Sequence, residues 1–185
     1  MKRRFLAGLV AATAVTTSMV MVSAADAATP DTTAAGAQSS GVTPNGSLDP
    51  SIQVGAGFTI VASLRGVGKQ IYDCAGGVYV FREPAAGLFT SRGVPAAIHG
   101  KGPFWTNFDG SRVDGTADGS FKSPDPKSVA WLRLKGAPTG ASGVFSKVAF
   151  IQRIDTRGGV QPPSCTAPST IAVDYTANYV FWAPQ

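Results

Sequence analysis

His99 is the only histidine of the 185-residue chain. It lies in a stretch crowded with side chains that could react or recognise, IHGKGPFWTNFDGS at 98–111. An unperturbed imidazole titrates near pH 6.5, which suits a general acid or base. Asp109, in the same stretch, would complete an acid–base pair for hydrolysis. Trp105 offers an indole that can stack on a sugar ring or fill a core. Trp131 is a second such indole, beside Arg133 in SVAWLRLK. Arg153 adds a guanidinium able to hold an anion. His99 therefore carries three readings: an acid or base, a binding residue beside Trp105, or a structural imidazole bonded to a carbonyl in a tight loop.

The remaining inventory is thin. Glu83 is the only glutamate, and no local pattern sets two carboxylates at a glycosidase spacing. No G-x-S-x-G elbow supports a serine triad around His99. There is no phosphate loop, and no dinucleotide fingerprint between a strand and a helix. These gaps give no cofactor expectation. One histidine is poor for zinc or copper. Asp109, Asp114 and Asp118 each precede a glycine in FDGSRVDGTADGS. They could gather around calcium, but their spacing is not that of a calcium loop, and Asp-Gly is a favoured turn pair. Turns are the expectation, with no metal site.

The chain has two cysteines, Cys74 and Cys165. An even count in an exported protein favours a disulfide, with two free thiols as the alternative.

Export is suggested by the first 27 residues. Lys2, Arg3 and Arg4 precede an apolar run from Phe5 to Val22, and Ala25 and Ala27 form an A-x-A site. That is the layout of a signal peptide cleaved after Ala27. A membrane-spanning helix is the competing reading, weakened by the Thr and Ser in the run. The Arg3-Arg4 pair raises a twin-arginine route. Cleavage removes three basic residues and Asp26, which takes the formal charge from +5 to +3. The remaining cations are scattered singly, without the basic stripe of a nucleic-acid binder. The expectation is a secreted chain with no membrane insertion and no nucleic-acid partner.

Residues 28–50 are small, polar and rich in Pro and Gly, and read as a flexible tail. Residues 51–185 read as one domain, long enough for a real core. Within it GFTIVASL, KQIYDC, VYVFRE, SVAWLRLK, GVFSKVAFIQRIDT and TIAVDYTANYVFW alternate at the period of half-buried strands. Ala75-Gly76-Gly77 separates two of them as a hairpin turn. The run from 143 to 156 is the longest strand candidate. Recurrent Gly and Pro leave no room for a helix above about ten residues. The domain is expected to be all-β, an antiparallel sandwich or a small barrel with few or no helices.

Several segments in fixed order resemble the domain of unknown function 3455 family: GKQIYDC, EPAAGLF, IHGKGPFW, DGS, VAWLRLK, VAFIQRIDTRGG, SC and YTANYVFW. The resemblance spans about residues 54–183. It implies export, because that family consists largely of secreted bacterial and fungal proteins, but it supplies no reaction. Carried over, its pattern picks out Gln70, Tyr72 and Cys74, then His99, Gly102, Pro103, Trp105, Asp109, Gly110 and Ser111. Further on it picks out Trp131, Gln152, Arg153, Thr156, Gly158, Gly159, Cys165, Tyr175, Thr176, Ala177 and Tyr179. The chain departs from that pattern twice. Gly100 stands where an aromatic commonly follows the His, and Phe104 where Thr commonly precedes the Trp. If those positions lined a pocket, the pocket is altered.

Together these features point to a secreted binding or interaction module, with cell-envelope or environmental polysaccharide as the partner class. A hydrolase using His99 and Asp109 is one alternative. A structural surface protein is the other.

Overall fold

Residues 41–166 and 168–185 are described by the computed structural model. The signal-peptide reading and the tail up to residue 40 lie outside them. Eight antiparallel strands follow one another around a closed barrel. They are β1 (Phe58–Ala75), β2 (Val78–Phe89), β3 (Pro95–Gly100), β4 (Phe104–Asn107), β5 (Ser111–Phe121), β6 (Trp131–Gly140), β7 (Phe150–Gly158) and β8 (Thr170–Pro184). Each pairs with its neighbour in sequence, and β1 pairs with β8 to close the ring. The all-β expectation holds, and the choice between sandwich and barrel resolves to a barrel.

An eight-stranded barrel has an interior just wide enough to be filled by side chains or to hold one small ligand. Here the lumen takes Leu64, Leu88, Ala97, Trp105, Val113, Leu134, Ile151, Tyr175, Tyr179 and Phe181. The inward face of β8 is the alternating set Tyr175, Ala177, Tyr179 and Phe181 that its sequence predicts. Glycines make room for the rings. A Cβ on Gly66 would lie 2.6 Å from Tyr179, and one on Gly115 would lie 2.7 Å from Trp105. Gly66 therefore does not end a strand. It lets β1 run on beneath a tyrosine, joining two runs that read as separate in the sequence.

Period two fails at a bulge. The register of β1 against β8 shifts between Ile60 and Ala62. Phe58 and Ile60 consequently pack on the outside of the barrel, while Ala62 and Leu64 face the lumen. A bulge adds one residue to one strand and so reverses which face the following side chains occupy.

The outer face of β7 and β8 has its own cover. Leu48, Ile52 and Val54 are buried there against Ile154, Val180 and Trp182. Residues 41–50, assigned to a flexible tail by composition, are thus packed structure. Two short 3-10 turns, Asn45–Ser47 and Pro50–Ile52, shape the segment. Buried Gln152 donates to Asn45 Oδ1 and to the Ile52 carbonyl, and its Oε1 accepts from Trp182 Nε1 at 2.8 Å. Asp155, at φ 52°, accepts from the Thr43 amide and from Asn178. The segment holds few apolar residues, but each is used, and side-chain hydrogen bonds satisfy the backbone between them.

One barrel end is plugged. The run from 143 to 156 is not a single strand: β7 begins at Phe150, and the residues before it turn inward. Phe145 is fully buried there, its ring stacked 4.3 Å from that of Phe181. Only one of the three Asp-Gly pairs forms a turn between strands, at Asp109-Gly110. The other two lie inside β5. At the barrel's other end, Cys74 and Cys165 are disulfide-bonded, which ties the end of β1 to the β7–β8 connection.

Candidate functional site

The end opposite the Phe145 plug opens into a cleft of about 400 Å³, within the size range of small-molecule sites. His99 from β3, Trp105 from β4, Arg153 from β7 and Tyr179 from β8 converge on it. Phe81, Pro84, Pro103, Leu132 and Leu134 give it apolar walls, and Lys101 stands at its mouth. The hairpin β3–β4 builds one side. His99 and Trp105 are directly opposed in the register, and both face inward because β3 and β4 alternate in step. The Gly102-Pro103 turn between these strands has a cis peptide.

His99 is buried, with its ring stacked on Trp105 at a centroid distance of 4.4 Å and edge-on to Tyr179 at 5.2 Å. Its Nδ1 lies 2.8 Å from the Phe104 carbonyl oxygen. A carbonyl only accepts, so Nδ1 carries the proton and donates, and Nε2 is left as an acceptor. Burial is the main force lowering the imidazole pKa to about 4. The Phe104 carbonyl opposes it, and the charge of Arg153 assists it. His99 is therefore neutral at pH 7.

The tyrosines are neutral as well. Tyr175 and Tyr179 share a hydrogen bond at 3.1 Å inside the barrel. Burial raises both hydroxyl pKa values, that of Tyr179 well above 10, and Arg153 partly offsets the rise. Burial also raises that of Tyr72, whose hydroxyl donates to the Gly159 carbonyl at 2.5 Å.

Arg153 is the charged member of the group. Its Nε and Nη2 both donate to the Ala130 carbonyl, at 3.2 and 2.8 Å. No carboxylate pairs with it among the described residues, where the ion pairs engage Lys69, Arg82, Arg112 and Arg133. Half-buried cations ordinarily have a counter-charge. Trp105 adds a second unmet demand. Its indole N–H, on a side chain only 1% exposed, has no acceptor.

The other two residues singled out from sequence lie elsewhere. Asp109 sits at the plugged end, apart from His99. Its Oδ1 accepts from the Ser111 amide and hydroxyl, and its Oδ2 accepts from the Val144 amide at 2.8 Å. The Ser111 hydroxyl in turn accepts from the Phe145 amide. Those bonds, the Ser111 hydroxyl first, lower the Asp109 pKa and make it the latch of the plug. The structure does not bring His99 and Asp109 together as an acid–base pair. Trp131 is on the outer surface, edge-on to Phe121 at 6.2 Å. It belongs to the packed layer beneath the N-terminal segment. Lys101 and Phe81 are cleft residues that the sequence did not single out, and Tyr179, picked out by the family pattern, had no role assigned to it. The inward alternation of β8 was the available signal for Tyr179.

The two departures from the family pattern resolve in one observation. Gly100 and Phe104 face each other across the β3–β4 ladder, on the side away from the lumen. A Cβ on Gly100 would lie 2.8 Å from the Phe104 ring, and the guanidinium of Arg112 covers that ring at 3.9 Å. The aromatic has moved to the opposite member of one cross-strand pair. Neither Gly100 nor Phe104 lines the cleft.

A larger groove of about 840 Å³ runs outside the barrel past Arg65, Asp155 and Asn178. Trp131 also lines it; Asp155 is satisfied by Thr43 and Asn178, and Thr156 by the Val129 carbonyl, while the Arg65 and Arg157 guanidiniums and the Trp131 Nε1 have no side-chain partner among the described residues. Among the described residues no group of three or more His, Cys, Asp or Glu gathers in a metal-binding arrangement.

Fold and site together define an up-and-down β-barrel, plugged at one end and open at the other into a cleft of aromatic walls and one unpaired guanidinium. The chain belongs to the DUF3455 family of proteins of unknown function, whose profile matches residues 55–183. No curated protein and no solved structure matches it. Of the positions carried over from the family, Gln70, Tyr72, Trp105, Tyr175 and Tyr179 are buried, and His99, Trp105, Arg153 and Tyr179 line the cleft.

Proposed function

We propose that this protein is a binding module that admits a small organic molecule into the open end of its barrel. The observation that carries the reading is the convergence of His99, Trp105, Arg153 and Tyr179 on one cleft, with Arg153 and the Trp105 N–H both unpaired. The cleft lacks an acid–base couple. A polysaccharide lying along the surface has less support, since Trp105 is covered on one face by His99 and Trp131 is packed against Phe121. A ligand-observed NMR fragment screen tests the reading. Hits are expected on the intact chain and should be lost in Ala117→Phe, which places a ring in the cleft wall. Hits that persist in the variant would move binding elsewhere.

We also propose that the protein acts outside the cell. The leader-like residues 1–27 support this, as does a disulfide of the kind that persists in oxidising compartments. Mass spectrometry of protein recovered from the medium should find a chain beginning at Ala28. Recovery only from the cytoplasm with residues 1–27 intact would refute it.

A further inference from the structure

We infer that the ligand of the cleft is a compact monocarboxylate with an apolar body, its carboxylate held by Arg153. This rests on the reading of the cleft as a binding site and specifies its chemistry. Three observations carry it.

The first is charge. Arg153 is the cation within the lumen, and its guanidinium is anchored to the Ala130 carbonyl rather than to an acid. Arg82, also on the wall, is already neutralised by Asp73 and Glu83, each at 3.0 Å. The inner cleft thus presents one uncompensated positive charge and calls for one negative charge. A guanidinium fork matches a carboxylate in plane and spacing, and such charge-assisted bonds are stronger than neutral ones.

The second is the balance of donors. The Trp105 N–H is buried without an acceptor, and Arg153 retains donor capacity beyond the Ala130 carbonyl. An ionised carboxylate is acceptor-only and meets the remaining donors of Arg153, whereas the Trp105 N–H is closed off from the cleft and takes no part in the contact. His99 does not compete for that role. It is neutral, and its own N–H is already engaged by Phe104.

The third is the wall. Phe81, Pro84, Pro103, Leu132 and Leu134 surround the polar end with apolar surface, and 400 Å³ suits a ring or a short chain rather than a polymer. Lys101 at the mouth adds a positive field that favours entry of an anion.

Titration of the ¹⁵N-labelled intact chain at neutral pH with phenylacetate, phenylacetamide and acetate tests the inference. Phenylacetate is expected to bind saturably and to shift the Trp105 indole and Arg153 Nε resonances. Phenylacetamide lacks the charge and acetate lacks the body, and each should bind roughly ten- to a hundred-fold more weakly. Arg153→Gln should abolish the preference for acid over amide, and Arg153→Lys should restore part of it. Retained dispersion in the variant spectra establishes that they fold. Equal binding of acid and amide, or a preference that survives Arg153→Gln, overturns the carboxylate assignment while leaving the cleft reading intact. Acetate binding as tightly as phenylacetate overturns the apolar body. No binding by any probe, with no fragment hit sensitive to Ala117→Phe, overturns the cleft reading itself.

Discussion

Replacing Cys74 and Cys165 together by Ser is expected to cost the barrel about 4–5 kcal/mol, the chain-entropy value for so long a loop. The bridge spans 91 residues of sequence. Most of its effect lies in the unfolded chain, where it forbids all conformations with those two positions apart. It also has a local effect. Between β7 and β8 the described residues 159–166 have little ladder bonding, and the bridge fastens Cys165 among them to the end of β1. The Cys165 amide donates to the Gly77 carbonyl and the Cys74 amide to the Ser169 carbonyl, so two backbone bonds flank the cross-link. Urea unfolding of wild type and the double variant measures the loss as a lower unfolding free energy extrapolated to water, with a steeper slope in the variant because its unfolded chain is less compact. A difference below about 1 kcal/mol would mean that the reduced chain is itself held compact, so that closing the loop removes little freedom.

Acid is expected to weaken the fold through His99, by about 3 kcal/mol in full. The imidazole pKa is about 4 in the folded protein, against an ordinary 6.5. Above the ordinary value both states are neutral and nothing is lost. As the pH falls from 6.5 toward 4, the unfolded chain takes up a proton that the folded protein refuses, so stability falls with acid. Below 4 both states carry the proton and the loss is complete. The carboxylates are separable by range. Asp109 and Asp125 are held below their usual pKa mainly by the Ser111 and Ser128 side chains, so their contributions fade only in stronger acid. With one histidine in the chain, the upper part of the window has one side-chain source. Unfolding free energies between about pH 7 and 5 should slope downward in the wild type. His99→Asn keeps a donor for the Phe104 carbonyl but cannot titrate, and it should be flat over that range. An equal slope in the variant would remove His99 from the explanation.

Much of this molecule is legible in the sequence, and what is not has identifiable causes. The strands of β6 and β8 show their inward faces plainly, because Arg133 separates Leu132 from Leu134, and Thr176 and Asn178 separate Tyr175, Ala177 and Tyr179. The bulge after Ile60 leaves no trace. The outer face there is also covered, so apolar residues on both sides of the shift look like one continuous face. Closure into a ring is invisible for another reason: it depends on pairing β1 with β8, a long-range event that local periodicity does not encode. The packing of residues 41–54 is hidden because composition averages over a segment in which a few side chains, chiefly Leu48 and Ile52, are buried among polar neighbours.

The site divides in the same way. The residue types of His99, Trp105 and Arg153 point to recognition chemistry, and the barrel brings the three together. Asp109 has equally suitable chemistry, yet residue type does not say which end of a short strand a carboxylate faces. The four residues of β4 separate it from the cleft, and at its own end it holds the plug. Gly100 and Phe104 looked like a damaged pocket because a one-dimensional pattern cannot show that two departures sit across a ladder from each other.

The ring has seven seams between sequence neighbours and one that joins its first strand to its last. A chain that stops short of Thr170 would therefore not be a smaller barrel. It would be an open sheet, with β1, an 18-residue strand, and β7 both presenting unsatisfied edges to any passing partner. Nor would it have a diminished cleft. One wall is Tyr179, which arrives only with β8, and Arg153 faces a lumen only once that strand is seated. Recognition in this protein is thus a property of the completed circle: no fragment of the domain inherits a fraction of it.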